Sequence, residues 1–130
     1  MSHQVILPEG WPRPRGYSNG IVAEGKICFV AGMVGWDTAG KFPGPDFHAQ
    51  LDQALSNVVA VVKTAGGEAS QIARLTIYVV DKQHYLADLK RVGAIYRKHL
   101  GNHYPAMALV QVVALVEDEA LLEIEATAVL

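Results

Sequence analysis

Residues 104–129 read YPAMALVQVVALVEDEALLEIEATAV. The run is strongly apolar, yet Glu123 and Glu125 sit inside it. Successive side chains of a strand point to opposite faces. In "LLEIEATAV", Leu122, Ile124, Ala126 and Ala128 therefore share one face, and Glu123, Glu125 and Thr127 share the other. Two readings of the carboxylates stand side by side. They lie on a solvated outer face, where antiparallel sheets commonly carry charge, or at least one of them lines a pocket. The stretch as a whole is expected to form a closing hairpin from about Met107 to Val129, turning through "VEDEA". Val110, Val112 and Ala114 alternate there with Leu109, Gln111 and Val113, so both faces of that strand are largely apolar. A strand buried on both faces needs cover on both sides.

Working toward the N-terminus, Asp81 is a candidate cap for a helix whose apolar stripe is Tyr85, Leu89, Val92, Tyr96 and Leu100, ending at Gly101. Before it, "IARLTIYVV" alternates, with Ala73, Leu75, Ile77 and Val79 on one face and Arg74, Thr76 and Tyr78 on the other. An earlier helix begins near Asp46, after Pro45. It buries Phe47, Leu51, Leu55, Val58 and Val62 and stops at Gly66-Gly67. "GIVAEGKICFVAGMVG" reads as a hairpin turning near Glu24-Gly25, and "DTAGKFPGPD" as a loop. Residues 1–18, with Pro8, Pro12 and Pro14, read as an irregular arm. The order is strand, strand, helix, strand, helix, strand, strand. It suggests one α+β domain spanning 1–130, a mixed sheet with two helices on one face. Two helices cover one sheet face; another copy of the chain is the simplest cover for the other.

Composition narrows the function. The chain has 130 residues, net charge −2, and only 18% charged residues, against about a quarter in an average domain. The only basic cluster is "RPR" at Arg13–Arg15, so a nucleic-acid backbone is not a favoured partner. No run of about 18 apolar residues suggests a membrane span, and the N-terminus lacks the apolar core of a signal peptide. A single cysteine, Cys28, fits a cytoplasmic protein and reads as an inert thiol between Ile27 and Phe29. The five histidines form no metal-binding motif. His99 and His103 are four apart, but Gly101 falls between them, so no metal is expected. No phosphate loop and no nucleophile elbow occur.

Four segments stand out in order: Tyr17 before the first strand, "VAGM" at Val30–Met33, "PAM" at Pro105–Met107, and "EIEA" at Glu123–Ala126. Together they resemble the YjgF/RidA family of enamine and imine deaminases over nearly the whole chain. The usual family features are a Tyr before the first strand, "V-S-G-Q", "P-A-R" and "EIEA". The resemblance implies a chorismate-mutase-like fold, a homotrimer with a barrel-like centre, and cofactor-free sites in the clefts between subunits. Glu123 takes the role of positioning the attacking water, and Glu125 becomes the structural or surface carboxylate. Substrate contacts fall on Tyr17, Ala31, Gly32, Met33, Met107 and Ala108, with backbone amides near Gly32 and Ala108 polarising the substrate.

The departures are informative. Met107 stands where the family carries an Arg that grips the substrate carboxylate. Ala31 and Met33 replace the Ser and Gln of "V-S-G-Q", and Gly93 falls where many relatives have Asn. The implied substrate is an enamine or imine other than a small 2-imino acid. Trp36 reads as an aromatic wall or as packing. Loss of the Arg leaves a second reading open, a non-catalytic trimer binding a small metabolite or a partner protein. The acidic balance argues against ribonuclease activity. Arg13, Arg15 and Arg91 are alternative sources of a cation.

Overall fold

A computed structural model describes residues 3–130. The strands are β1 (Gln4–Ile6), β2 (Gly20–Val22), β3 (Ile27–Met33), β4 (Ile72–Val79), β5 (Ala106–Gln111) and β6 (Leu122–Val129). The helices are α1 (Phe47–Thr64), α2 (Lys82–Leu86) and α3 (Leu89–Leu100), with a 3-10 turn at Ala69–Gln71. The expected arm holds a strand of its own, β1; residues 1 and 2 lie outside the described part.

Helix α1 follows its sequence signals closely. The Asp46 carboxylate accepts the Ala49 N–H at 3.3 Å and caps the first turn. Phe47, Leu51, Leu55, Val58 and Val62 are all buried. At the other end the Gly67 N–H donates to the Val62 carbonyl at 2.9 Å. Two buried polar residues, His48 and Gln50, interrupt the apolar stripe. Gln50 has no exposed surface and places every polar atom. Its Nε2 donates to the carbonyls of Gly44 and Glu119 at 2.9 and 3.0 Å, and its Oε1 accepts from the Leu121 N–H at 2.8 Å. A buried amide costs free energy unless hydrogen-bonded; here its bonds fix the loop that delivers the chain into β6.

The second helix departs from expectation by splitting in two. Asp81 caps α2, and Asp88 caps α3 afresh, accepting the Arg91 N–H at 3.1 Å. Leu89 is then left exposed, while Val92, Tyr96 and Leu100 remain buried. Three helices, not two, accompany the sheet.

The strand partners differ from the hairpin reading at both ends. The main sheet has order β3-β6-β4-β5. β5 does not pair with β6. It runs parallel to β4, from Arg74 opposite Ala106 to Val79 opposite Gln111, while β6 is antiparallel to both β3 and β4. The reason is chain geometry: α3 returns the chain so that β5 must run parallel to β4, and the long segment 112–121 then carries it across to the far edge of β4. β5 stops at Gln111, so Val113 and Val116 are exposed loop residues and not strand. At the other end β2 pairs with β1 and not with β3. The C-terminus takes up the start of β3, where Lys26 and Leu130 exchange N–H···O bonds at 3.1 and 2.7 Å. A register shift between Ile72 and Arg74 puts Ile72 in the core in place of the expected Ala73.

The inner sheet face carries Leu75, Ile77, Val79, Leu122, Ile124, Ala126 and Ala128, packed against α1 and α3. The outer face carries Glu123, Glu125 and Thr127 of β6 beside Thr76 and Tyr78 of β4. Large apolar side chains are left bare on both strands that flank them: Phe29 of β3, opposite Thr127, is 78% exposed, and Val110 of β5, opposite Tyr78, is 43% exposed.

Candidate active site

The two carboxylates of β6 have different surroundings. Glu125 is engaged: its Oε1 accepts the Tyr78 hydroxyl at 2.6 Å. That bond raises the Tyr78 pKa above its ordinary value, because the phenol proton is shared with an anion. Glu123 has no hydrogen-bond or ion-pair partner among the described residues. It is half-buried and lies against Gly32. A β-carbon at Gly32 would stand 2.6 Å from Glu123 Oε2, so only a glycine leaves room for the carboxylate there. The β3–β6 register shifts between Val30 and Met33, placing Ala31 and Gly32 in a bulge beside it. Bulges occur preferentially where a strand must re-aim a group, often at active sites.

The remaining sequence-predicted residues divide between two places. Ala31 and Gly32 are exposed next to Glu123. Met33 and Met107 are half-buried and pack against the core. Met107 Sδ accepts the Tyr96 hydroxyl at 3.7 Å, and Tyr96 OH stands 2.9 Å from Tyr85 OH. Burial pushes the Tyr96 pKa well above its ordinary value and raises that of Tyr85. Ala108 sits in the β4–β5 ladder opposite Thr76.

Tyr17 belongs to the opposite edge of the sheet. The segment after it is pinned to the start of β5: the Ser18 N–H donates to the Pro105 carbonyl at 3.1 Å, and Ser18 bridges to Ala106. Tyr17 lines a cavity of about 830 Å³. From that edge to β6 the sheet spans β5 and β4, so Tyr17 and Glu123 are separated by roughly 14 Å of strand spacing. Within one chain they do not converge.

Several positions gain definite roles that the sequence left open. Trp36 packs on Phe42 with ring centroids 5.7 Å apart. Cys28 is half-buried and packs against the core. Asp52 of α1 joins Lys98 and His99 of α3. Partial burial opposes its ionisation, but these two partners hold its pKa below the ordinary 3.8. Arg91 is paired with Asp46 at 3.3 Å. Among the described residues no three His, Cys, Asp or Glu side chains gather in a metal-binding group, and no helix is long and apolar enough to cross a membrane. Tyr78 is the neighbour of the two carboxylates that sequence reasoning missed. Its place opposite Glu123 in the β4–β6 register is a consequence of strand pairing, which alternation alone does not specify.

The family model described as endoribonuclease L-PSP matches residues 12–130. The chain belongs to this family, the YjgF/RidA/RutC family. A RutC family protein of Pyrococcus abyssi is 30% identical over 129 residues, covering 98% of both chains. The chloroplastic Reactive Intermediate Deaminase A of Arabidopsis thaliana is 34% identical over 129 residues, covering 98% of this chain and 66% of its own length. Among solved structures, the Rid-family protein YyfB of Yersinia pestis, described as of unknown function, superposes with a TM-score of 0.88 at 35% identity over the whole of both chains. The L-PSP family thus includes reactive intermediate deaminases as well as proteins named for ribonuclease activity. Its mixed α+β fold is the one found here. Within it, this chain places Met, turned toward Tyr96, at position 107.

Proposed function

We propose that the chain hydrolyses a reactive enamine or imine to a carbonyl compound and ammonia, in sites shared between the subunits of a homotrimer. The observation that carries this reading is the free Glu123 carboxylate, held against Gly32 in the β3 bulge while its neighbour Glu125 is committed to Tyr78. A carboxylate without a protein partner is available to accept a hydrogen bond from water and to aim it. The enamine first tautomerises to the imine. Water held by Glu123 adds to the imine carbon as the C–O bond forms, and its proton passes through the carboxylate to nitrogen. As the carbinolamine collapses, its hydroxyl proton passes to nitrogen through the Glu123 carboxylate, the O–H electrons form the C=O bond, and ammonia leaves with the C–N bond electrons. In this reading backbone amides near Gly32 and Ala108 polarise the substrate. No cofactor enters these steps.

Two features support assembly. Phe29 leaves apolar surface on the outer sheet face, which association would cover. Tyr17 lies beyond the β5 edge and Glu123 on the interior strand β6 of one chain, so a site using both draws on two copies. The substrate is other than the smallest 2-imino acids, because Met107 offers no cation and contacts Tyr96. Such chemistry fits a cytoplasmic protein with one unreactive thiol.

The test is ammonia release from imines generated in situ by an amino-acid oxidase, measured above the uncatalysed rate. Glu123→Gln should abolish the catalysed rate while assembly is kept, and Glu125→Gln should leave most of it. Equal effects of the two substitutions would remove Glu123 from its role. No activity of the wild type across a broad imine panel would remove the deaminase.

A further inference from the structure

The cavity holding Tyr17 carries charge of one sign only. Arg13 and Arg15 line it, and no Asp or Glu does. Neither guanidinium has an ion-pair partner among the described residues, whereas Arg91 is paired with Asp46. His103, also on the wall, is kept neutral near pH 7. Its burial lowers its pKa and outweighs the opposing effect of its Nε2–H bond to the Ile72 carbonyl at 2.6 Å. The positive charge of the cavity thus comes from the two arginines. At about 830 Å³ the volume lies within the roughly 300–1,000 Å³ of small-molecule sites.

The segment presenting these cations is stiff. Pro12 and Pro14 flank Arg13 and fix their own φ angles. Gly16 adopts φ +81° between Arg15 and Tyr17, a left-handed turn that a side chain would strain. Ser18 then ties the chain to Pro105. The two cations stand on a backbone already shaped by these constraints, with no acid in the cavity to neutralise them, so backbone ordering adds little to the cost of anion binding. The same cavity has an apolar lining from Val5 of β1 and from Leu7 just after it.

We propose that this cavity binds the anionic end of the substrate, a carboxylate joined to the reacting imine carbon by a short carbon chain, with Arg13 and Arg15 as its recognition residues. The guanidinium forks take the carboxylate, and the carbon chain rests on the apolar lining. The reacting group rests on the deaminase reading above; the anion site rests on the cavity. The substrate class is accordingly an imine of an oxo acid whose carboxylate is set away from the C=N bond, longer than the smallest 2-imino acids.

The probe is 4-oxopentanoate compared with its methyl ester, a pair alike in shape and different in charge. Binding is measured by calorimetric titration of the wild type, Arg13→Gln, Arg15→Gln, the double variant and Glu123→Gln. The acid should bind about tenfold or more tightly than the ester. The preference should weaken in each single variant, vanish in the double variant and persist in Glu123→Gln. Thermal melts establish that the variants fold. Equal binding of acid and ester, binding of neither, or an undiminished preference in the double variant would overturn the proposal. The two readings fail separately. Charge-selective binding without hydrolysis of any imine leaves the anion site and removes the deaminase; imine hydrolysis indifferent to both arginines does the reverse.

Discussion

Gly32→Ala is the substitution that separates placement of Glu123 from the presence of its carboxylate. The added β-carbon would stand 2.6 Å from Oε2 and 2.7 Å from Cδ of Glu123. Ordinary contact begins at 3.4 Å, so the carboxylate must retreat by about 0.8 Å or rotate away. The side chain is flexible and half-exposed, so it yields and the fold does not. The stability change should stay within roughly 1 kcal/mol, as for other substitutions that leave core and caps intact. Catalysis is less forgiving, since a misplacement near 1 Å costs about a hundredfold. The expected result is a melting temperature close to wild type with imine hydrolysis reduced about a hundredfold, approaching Glu123→Gln. The assay pairs thermal melts with ammonia release under saturating substrate. Full activity in Gly32→Ala would refute the placement of the reacting water at Glu123. A collapse in stability would show that Gly32 is needed for strand pairing instead.

Two further predictions concern the surface and the pH response. Phe29→Asp replaces a 78% exposed apolar ring of the outer sheet face with a charge. Burying such a ring stabilises by about 1.5–3 kcal/mol, so the wild type should sediment as the proposed trimer and the variant as monomer at the same concentration; a trimer unchanged by the substitution would place the interface elsewhere. His103 has a folded pKa lowered by burial from its ordinary 6.5, so its neutral form favours folding. That contribution is complete above pH 6.5 and is lost as pH falls toward the folded value. The wild-type melting temperature should therefore fall more steeply below pH 6.5 than that of His103→Gln, and parallel curves would contradict the assignment.

Much of the architecture was legible because it is written in local chemistry. Asp46 and Gly66-Gly67 bound α1, and the alternation of Leu122, Ile124, Ala126 and Ala128 marks the buried face of β6. What escaped was non-local. Alternation names a strand but not its partner, so the 107–129 stretch read as a hairpin although β4 lies between its two strands. Asp88 was one acid among several until its carboxylate was seen to restart a helix. The strand pattern could not tell Glu123 from Glu125; the family resemblance assigned the catalytic role to Glu123, and the Tyr78 bond to Glu125 supplies a physical distinction. The charge asymmetry around Arg13 and Arg15 depends on an arm folded against the α3–β5 turn, which "RPR" in isolation does not reveal.

Complementation between two inactive variants tests the shared site most directly. Tyr17→Ala removes one half of the site and Glu123→Gln the other, and each alone should be inactive in imine hydrolysis. The two are unfolded together in equal amounts, refolded and assayed. If every site takes Tyr17 from one subunit and Glu123 from its neighbour, random trimers recover about a quarter of wild-type activity, since one junction in four pairs the intact halves. No recovery in mixed trimers of demonstrated composition would contradict a site shared between subunits.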